Sequence, residues 1–487
     1  MLSILIWLPL AVALLAALLP RALAPRFAAL GTLGALGLAI YLIADYSAGS
    51  GMQHAVDEIW ISELGMHYKL GIDGLNLFLV GLTTLAFAAA AVWASFREWD
   101  RPRLFYFHLL LGETAVLGAF LTQDLALFVV FFDLMLIPFY FLTGQWGGEN
   151  RVPATMKMVI YTFVGSLLML AGAVATGVLA AGDGQTLSFA FSDLQERTLG
   201  EGTQQWIFLL FAAAFLVKMP AFPLHGWMPD AYKAMPIEVV AVFSAVLSKV
   251  AAYGFLRIVL PIFPDASAHF QDLMLVIGLA SILYGSVMAF TTTHARLIVG
   301  YSSVAQLGFI TLGVFALDPQ GAQGAVLQMV NHGLVTVPLF LIIGLLAVRS
   351  GGSEDIRDMG GIAFRAPVLA SLFLIVALAT LAMPGSGNFV GEFMILLGVF
   401  ETKTVFACIG FTGVALAAVY MLRAFIRMMH NRVGPKVESR EVSLRAGLVL
   451  VPLVAAILLF AVYPQLALER QEASVVTIVE TAQEVAR

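Results

Sequence analysis

The chain has 487 residues, 60% of them hydrophobic and 12% charged, with a formal net charge of −5. Soluble domains run about 45–50% apolar and about 25% charged, so an ordinary soluble enzyme is excluded and a polytopic membrane protein indicated. A single cysteine, Cys408, excludes a disulfide framework, a Cys-ligated iron–sulfur cluster and a zinc knuckle, and nothing in the sequence gives a nucleic-acid or nucleotide footprint.

Apolar runs long enough to cross a bilayer begin at the N-terminus. The first, about 2–20, lacks the basic flank and cleavage site of a signal peptide and reads as a helix. Further spans follow at about 27–45, 74–96, 104–122, 124–144, 154–181 and 205–228. The second half continues at about 236–260, 272–293, 296–317, 320–348, 367–400, 404–430 and 443–463. The expected class is an all-α polytopic membrane protein with about fourteen transmembrane helices. Arg and Lys gather in the loops after odd-numbered spans, among them Arg97, Arg101, Arg103, Arg151, Lys157, Lys233, Arg296, Arg349 and Arg432. The opposite loops, at about 46–73 and 182–204, are acidic. The positive-inside rule therefore predicts both termini on the outer, periplasmic side.

Five titratable residues fall inside spans: Asp133, Lys218, Lys249, His332 and Glu392. A charge at the bilayer centre costs at least about 2.5–3.5 kcal/mol and needs a partner, water or a function. Each has a structural reading alone, His332 as a packing histidine and the Asp133–Lys218 pair as a staple between helices. On five different spans together they make a candidate proton relay. Glu113 and Arg257 fall nearer to span ends and are expected to snorkel to an interface.

Two helix breaks flank these charges. Lys218 precedes Met219-Pro220-Ala221-Phe222-Pro223, whose prolines should free carbonyls near Leu216 and Met219. Ala382-Met383-Pro384-Gly385-Ser386-Gly387-Asn388 precedes Glu392. Irregular backbone at membrane depth survives only where it is buried in protein or lines water. Interrupted helices in corresponding places in two halves point to inverted repeats with a site near the midplane. The resulting division is a three-helix region at 1–103, five-helix repeats at 104–260 and 272–430, and a C-terminal helix and tail at 431–487.

Long stretches also carry a family likeness: GIDGLNLFLV (71–80), FFDLMLIPFYFL (131–142), MKMVIYTFVGSLLML (156–170), VKMPAFPLHGWMPDAY (217–232), SKVAAYGFLRIVLP (248–261), IVGYSSVAQLGF (298–309), LQMVNHGL (327–334) and MPGSGNFVGEF (383–393). Over nearly its whole length the chain resembles the antiporter-like membrane subunits of respiratory complex I, NADH:quinone oxidoreductase, and the related Mrp-type cation/proton antiporter subunits. Glu392 matches the complex I paralogue that has Glu where its sisters and the Mrp proteins have Lys. So does an end near residue 487, without the long lateral helix of the largest sister. Three departures stand out. Asp133 replaces the usual Glu, Ala305-Gln306-Leu307-Gly308 replaces Ser-His-Met-Gly, and His294-Ala295-Arg296-Leu297 replaces Asp-Leu-Lys-Arg.

The resemblance implies a proton-translocating membrane-arm subunit of the bacterial inner membrane with no redox centre of its own. FMN, iron–sulfur clusters and quinone would be bound by other subunits. The neighbours would be other antiporter-like subunits and the lipid bilayer. In the implied relay Asp133 pairs with Lys218, and the charge of Lys218 acts on Lys249. Water and His332 then pass the proton to Glu392. The alternatives are an Mrp-type antiporter subunit, the equivalent subunit of a membrane-bound hydrogenase or ferredoxin-dependent complex, and a scaffold that has lost pumping.

Overall fold

A computed structural model describes residues 1–182, 186–197, 199–438 and 440–486. Part of the loop expected at 182–204 and Arg487 in the tail lie outside the described residues. Among those described, 11 helices are long and apolar enough to cross a membrane, as expected of a polytopic helical protein. Leu2–Leu18 and Pro367–Thr380 are apolar but shorter. Glu201–Lys218 packs along Arg151–Ala181.

Local chemistry sets where these helices start and break. Asp318 caps Pro319–Arg349 by accepting from the Gln320 and Gly321 N–H groups, with Pro319 in the first turn where no N–H partner is needed. Leu125–Leu134 and Leu136–Trp146 form one span interrupted at Met135. Pro138 has no N–H for the Leu134 carbonyl four residues back, which accounts for the interruption. Between Pro367–Thr380 and Gly387–Met429 the chain passes through Ala382 at φ 55 and Gly385 at φ 95, and left-handed backbone cannot continue a helix.

The centre of the bundle is Ile237–Ile262 and Ala295–Val314, both buried along their whole apolar windows. Ile237–Ile262 is not a uniform α-helix. Phe243–Leu247 and Phe255–Val259 are π-helical turns, a rare deformation that is frequent at functional sites.

Three expectations need correcting. The loop at 46–73 contains an antiparallel hairpin of Gln53–Ile61 and Met66–Ile72, turned at Gly65 with φ 59. The C-terminal tail is a helix, Gln465–Ala486, which buries Ala467, Val475, Ile478, Val479 and Ala482 and lies against Pro319–Arg349. Its exposed Glu469, Glu472, Glu480 and Glu484 dilute the apolar signal below that of a span. Arg257 does not snorkel. Its Nη2 lies 2.6 Å from both Asp73 oxygens, its Nε donates to Tyr253 Oη at 3.0 Å, and both charged side chains are only 7% exposed.

Asp73 follows the hairpin directly, and the next N–H, of Gly74, donates to Ser474 of the C-terminal helix at 3.1 Å. One buried ion pair thus joins hairpin, central span and C-terminal helix. Arg257→Met should leave the Asp73 charge buried without a partner and cost about 3–5 kcal/mol. The double variant Asp73→Leu/Arg257→Met should lose clearly less. Thermal unfolding of the solubilised protein checks both, and a double variant no better than the single would show that the pair is not what is lost.

Candidate functional site

Lys218 is the last residue of its helix, which Pro220 ends. The Leu216 carbonyl is not left free as expected. It accepts from Ala221 N–H at 3.0 Å, and the Val217 carbonyl accepts the Trp227 indole N–H at 2.9 Å. The chain re-satisfies its own carbonyls by folding back, as a break at membrane depth requires. Lys218 Nζ donates to the Phe132 carbonyl at 2.5 Å and lies 3.6 Å from the centre of the Phe132 ring.

Among the described residues the pairing expected of Asp133 and Lys218 is not a direct ion pair. Asp133 keeps one buried carboxylate oxygen without a hydrogen-bond partner, although its charge is close enough to act on Lys218. Aspartate is one methylene shorter than the glutamate usual in the family, and the interruption at Met135 puts main-chain carbonyls within reach instead.

Lys249 follows the first π-helical turn. Its Nζ donates to the Ser244 carbonyl at 2.8 Å and lies 3.3 Å from Ser248 Oγ. Ser248 Oγ donates to the same carbonyl at 3.2 Å, and Ser244 Oγ is 3.3 Å from Ser303 Oγ. His332 is buried in Pro319–Arg349, with Nε2 3.3 Å from Thr336 Oγ1 and Nδ1 without a partner. It is near enough to Lys249 for the two charges to interact.

Glu392 follows the second break. Its Oε1 accepts from Gln306 Nε2 at 2.8 Å and from Gln328 Nε2 at 3.4 Å, while Gln328 also donates to Gln306 Oε1 at 2.7 Å. The second oxygen, Oε2, is buried and unpartnered. Glycine makes this contact possible: a Cβ on Gly324 would lie 2.7 Å from the Ile395 nitrogen. Only a residue without a side chain lets Pro319–Arg349 approach Gly387–Met429 so closely. On its other side Glu392 borders an apolar cavity of about 510 Å³ lined by Phe389, Phe393, Phe400, Cys408 and Phe411.

The structure thus forms three clusters: Asp133 with Lys218, Lys249 with His332, and Glu392 with Gln306 and Gln328. Among the described residues no hydrogen bond joins one cluster to the next. One participant was missed in the sequence. Gln328 lies four residues before His332 and so on the same helix face, a spacing that marks it out. Glu113, expected to snorkel, is 0% exposed with both oxygens unpartnered, because it lies near the middle of Pro102–Leu121 rather than at its end.

Comparison with known proteins matches residues 122–417 to the family model described as NADH:quinone oxidoreductase/Mrp antiporter, TM. The chain is 35% identical to NADH-quinone oxidoreductase subunit M of Rhodobacter capsulatus, over 99% of its own length and 96% of that protein. A chain of respiratory complex I from Thermus thermophilus with bound NADH superimposes with a TM-score of 0.90 at 31% identity, covering 100% of both chains. A chain of the Mrp complex from Dietzia sp. DQ12-45-1b gives a TM-score of 0.84 at 22% identity over 99% of this chain and 98% of that one, a likeness of fold.

The Gln306–Glu392 contact can be measured directly. Gln306→Leu should cost about 1–3 kcal/mol, because it leaves a buried carboxyl oxygen with only the longer Gln328 contact. Glu392→Leu alone should cost a similar amount by stranding the two amides. A double-mutant cycle on unfolding midpoints should give a coupling well above about 0.5 kcal/mol. Additive losses would mean that the two side chains are neighbours without an interaction.

Proposed function

The chain belongs to the NADH:quinone oxidoreductase/Mrp antiporter transmembrane family, and from that premise we propose that it couples NADH:quinone electron transfer to proton movement as a subunit of the M type. It is a multi-pass membrane subunit of a proton-translocating oxidoreductase. The observation that carries the reading in the site itself is the succession of buried titratable groups on deformed helices. Lys218 sits at one break, Lys249 beside a π-helical turn and Glu392 just after a second break. A structural bundle has no use for three buried ionisable side chains at positions where helical hydrogen bonding is given up.

Electron transfer takes place in other subunits, which would carry the FMN, iron–sulfur clusters and quinone. Neighbouring antiporter-like subunits would deliver its free energy as a shift of charge at the Asp133 end. Asp133 and Lys218 respond first. Movement of the ammonium between the Phe132 carbonyl and the Asp133 carboxylate changes the field at Lys249, whose proton passes through His332 and water. Glu392 receives it in its amide setting and releases it on the hairpin side. The fourteen spans comprise the 11 long helices, Leu2–Leu18, Glu201–Lys218, and the broken span of Pro367–Thr380 with the first part of Gly387–Met429, which turns at Lys403. They fall into two inverted five-helix repeats, with both termini outside a bacterial inner membrane.

Lys218→Ala should leave assembly intact and lower quinone reduction and proton pumping together, by at least about tenfold, since one relay stalls the shared cycle. Turnover and pumping are measured in membrane vesicles matched for complex content by immunoblot. Wild-type turnover with normal pumping would sink the reading. Glu392→Gln keeps volume and hydrogen bonding but cannot carry a proton, and it should lower turnover substantially. Full activity in that variant would remove Glu392 from the path.

A further inference from the structure

The relay above begins at Lys218 and Lys249 but names no group that loads Lys249 from the basic face of the membrane. One buried acid is placed to do so. Glu238 opens the central span Ile237–Ile262 two residues after Pro236 and is fully buried, at 0% exposure. Its Oε2 lies 3.1 Å from Arg97 Nη2, and the Arg97 side chain is 48% exposed at the mouth. Its Oε1 is buried with no hydrogen-bond partner among the described residues. One oxygen therefore touches a half-exposed cation while the other is buried with no partner from another residue among those described. A merely structural ion pair would be expected to satisfy both.

Around Glu238 two arginines and a second carboxylate gather at the basic face. Arg296 donates to the Tyr232, Lys233 and Met235 carbonyls just ahead of Glu238 and pairs with Glu354 at 2.6 Å. The groups whose charges reach Glu238 are Arg97 and Arg296, and its own charge reaches the buried, unpartnered Tyr106 hydroxyl. Inward along the same span lie hydroxyls that end at Lys249. Ser244 pairs with Ser303, and Ser248 shares the Ser244 carbonyl with Lys249 Nζ. Lys249 is roughly three helical turns beyond Glu238, about 16 Å of rise. That distance is too long for direct transfer and suited to hydroxyls and water.

We infer that Glu238 is the proton-uptake group of the basic face, taking protons at the Arg97 mouth and passing them by way of Ser244 and Ser248 to Lys249. The inference rests on the proton-translocating reading above. Arg97 is a positioning residue that holds one oxygen outward and leaves the other free to hand the proton on.

The test uses the assembled complex in membrane vesicles, with turnover followed from about pH 6 to about pH 9. Glu238→Gln should slow turnover modestly at the acid end and by roughly tenfold at the alkaline end, where proton supply limits. Glu238→Asp should retain most of the activity. Added formate, a small weak acid able to enter the space left by the side chain, should restore turnover in Glu238→Ala. A Glu238→Gln profile that follows wild type overturns the inference. So does a uniform loss at every pH that formate does not relieve, since that is the mark of a broken Arg97 contact. Lys249→Ala, run in parallel, separates the two levels. If it too keeps full turnover and pumping, the translocating reading itself fails, whereas a stalled Lys249→Ala beside an unaffected Glu238→Gln rejects only the uptake role.

Discussion

Both buried lysines of this protein are held by main-chain carbonyls rather than by carboxylates. Lys218 donates to Phe132 and Lys249 to Ser244, at 2.5 and 2.8 Å. Much of the architecture follows from that choice. A carbonyl within a regular α-helix is already bonded four residues ahead, so supplying one for a lysine requires local departure from the helix. The interruption at Met135 and the π-helical turn at Phe243–Leu247 are those departures. A carbonyl also accepts a hydrogen bond from an ammonium and from an amine alike. It therefore fixes where the nitrogen stands without fixing its charge, which is what a carrier needs and a staple does not.

Glu392 meets the same requirement with the opposite chemistry. An acid needs donors, and Gln306 and Gln328 supply neutral ones whose amides are themselves linked at 2.7 Å. The family's usual histidine at position 306 would bring a titratable neighbour. The glutamine brings a fixed dipole, so in this chain Glu392 is the only group of its cluster able to take a proton. Close approach of the two helices at Gly324 is the packing condition for that arrangement.

How much of this could be read beforehand depended on whether a feature lies along the chain or across it. The polytopic helical class, both breaks and the sequence positions of the five intramembrane charges are one-dimensional patterns of apolar length and proline placement, and they read directly. The missing methylene of Asp133 is legible in the sequence, but which carbonyl receives Lys218 instead turns on the interruption at Met135 and on reach across two helices. Glu113 and Arg257 were assigned to an interface because sequence distance from a span end was taken as depth. Arg257 instead sits on Asp73, and Glu113 lies at mid-helix with no hydrogen-bond partner for its carboxylate among the described residues. The hairpin and the C-terminal helix escaped notice for a related reason. Their apolar residues are interleaved with charged and polar ones and make no run of span length.

Charge is distributed by depth, and the distribution has a mechanical sense. At the hairpin face Asp73 and Arg257 pair directly, and at the basic face Arg97 pairs with Glu238 and Arg296 with Glu354. Between these rims, among the described residues, every hydrogen bond of a proposed relay side chain is shared with a neutral group: carbonyl, hydroxyl or amide. Direct ion pairs hold two side chains in one geometry and resist separation, most strongly where water is scarce. Placed at the rims they fasten the ends of the central spans. Placed at the midplane they would fasten the protons too. Neutral partners at the midplane would let charge move through a framework that is kept still by charges at its edges.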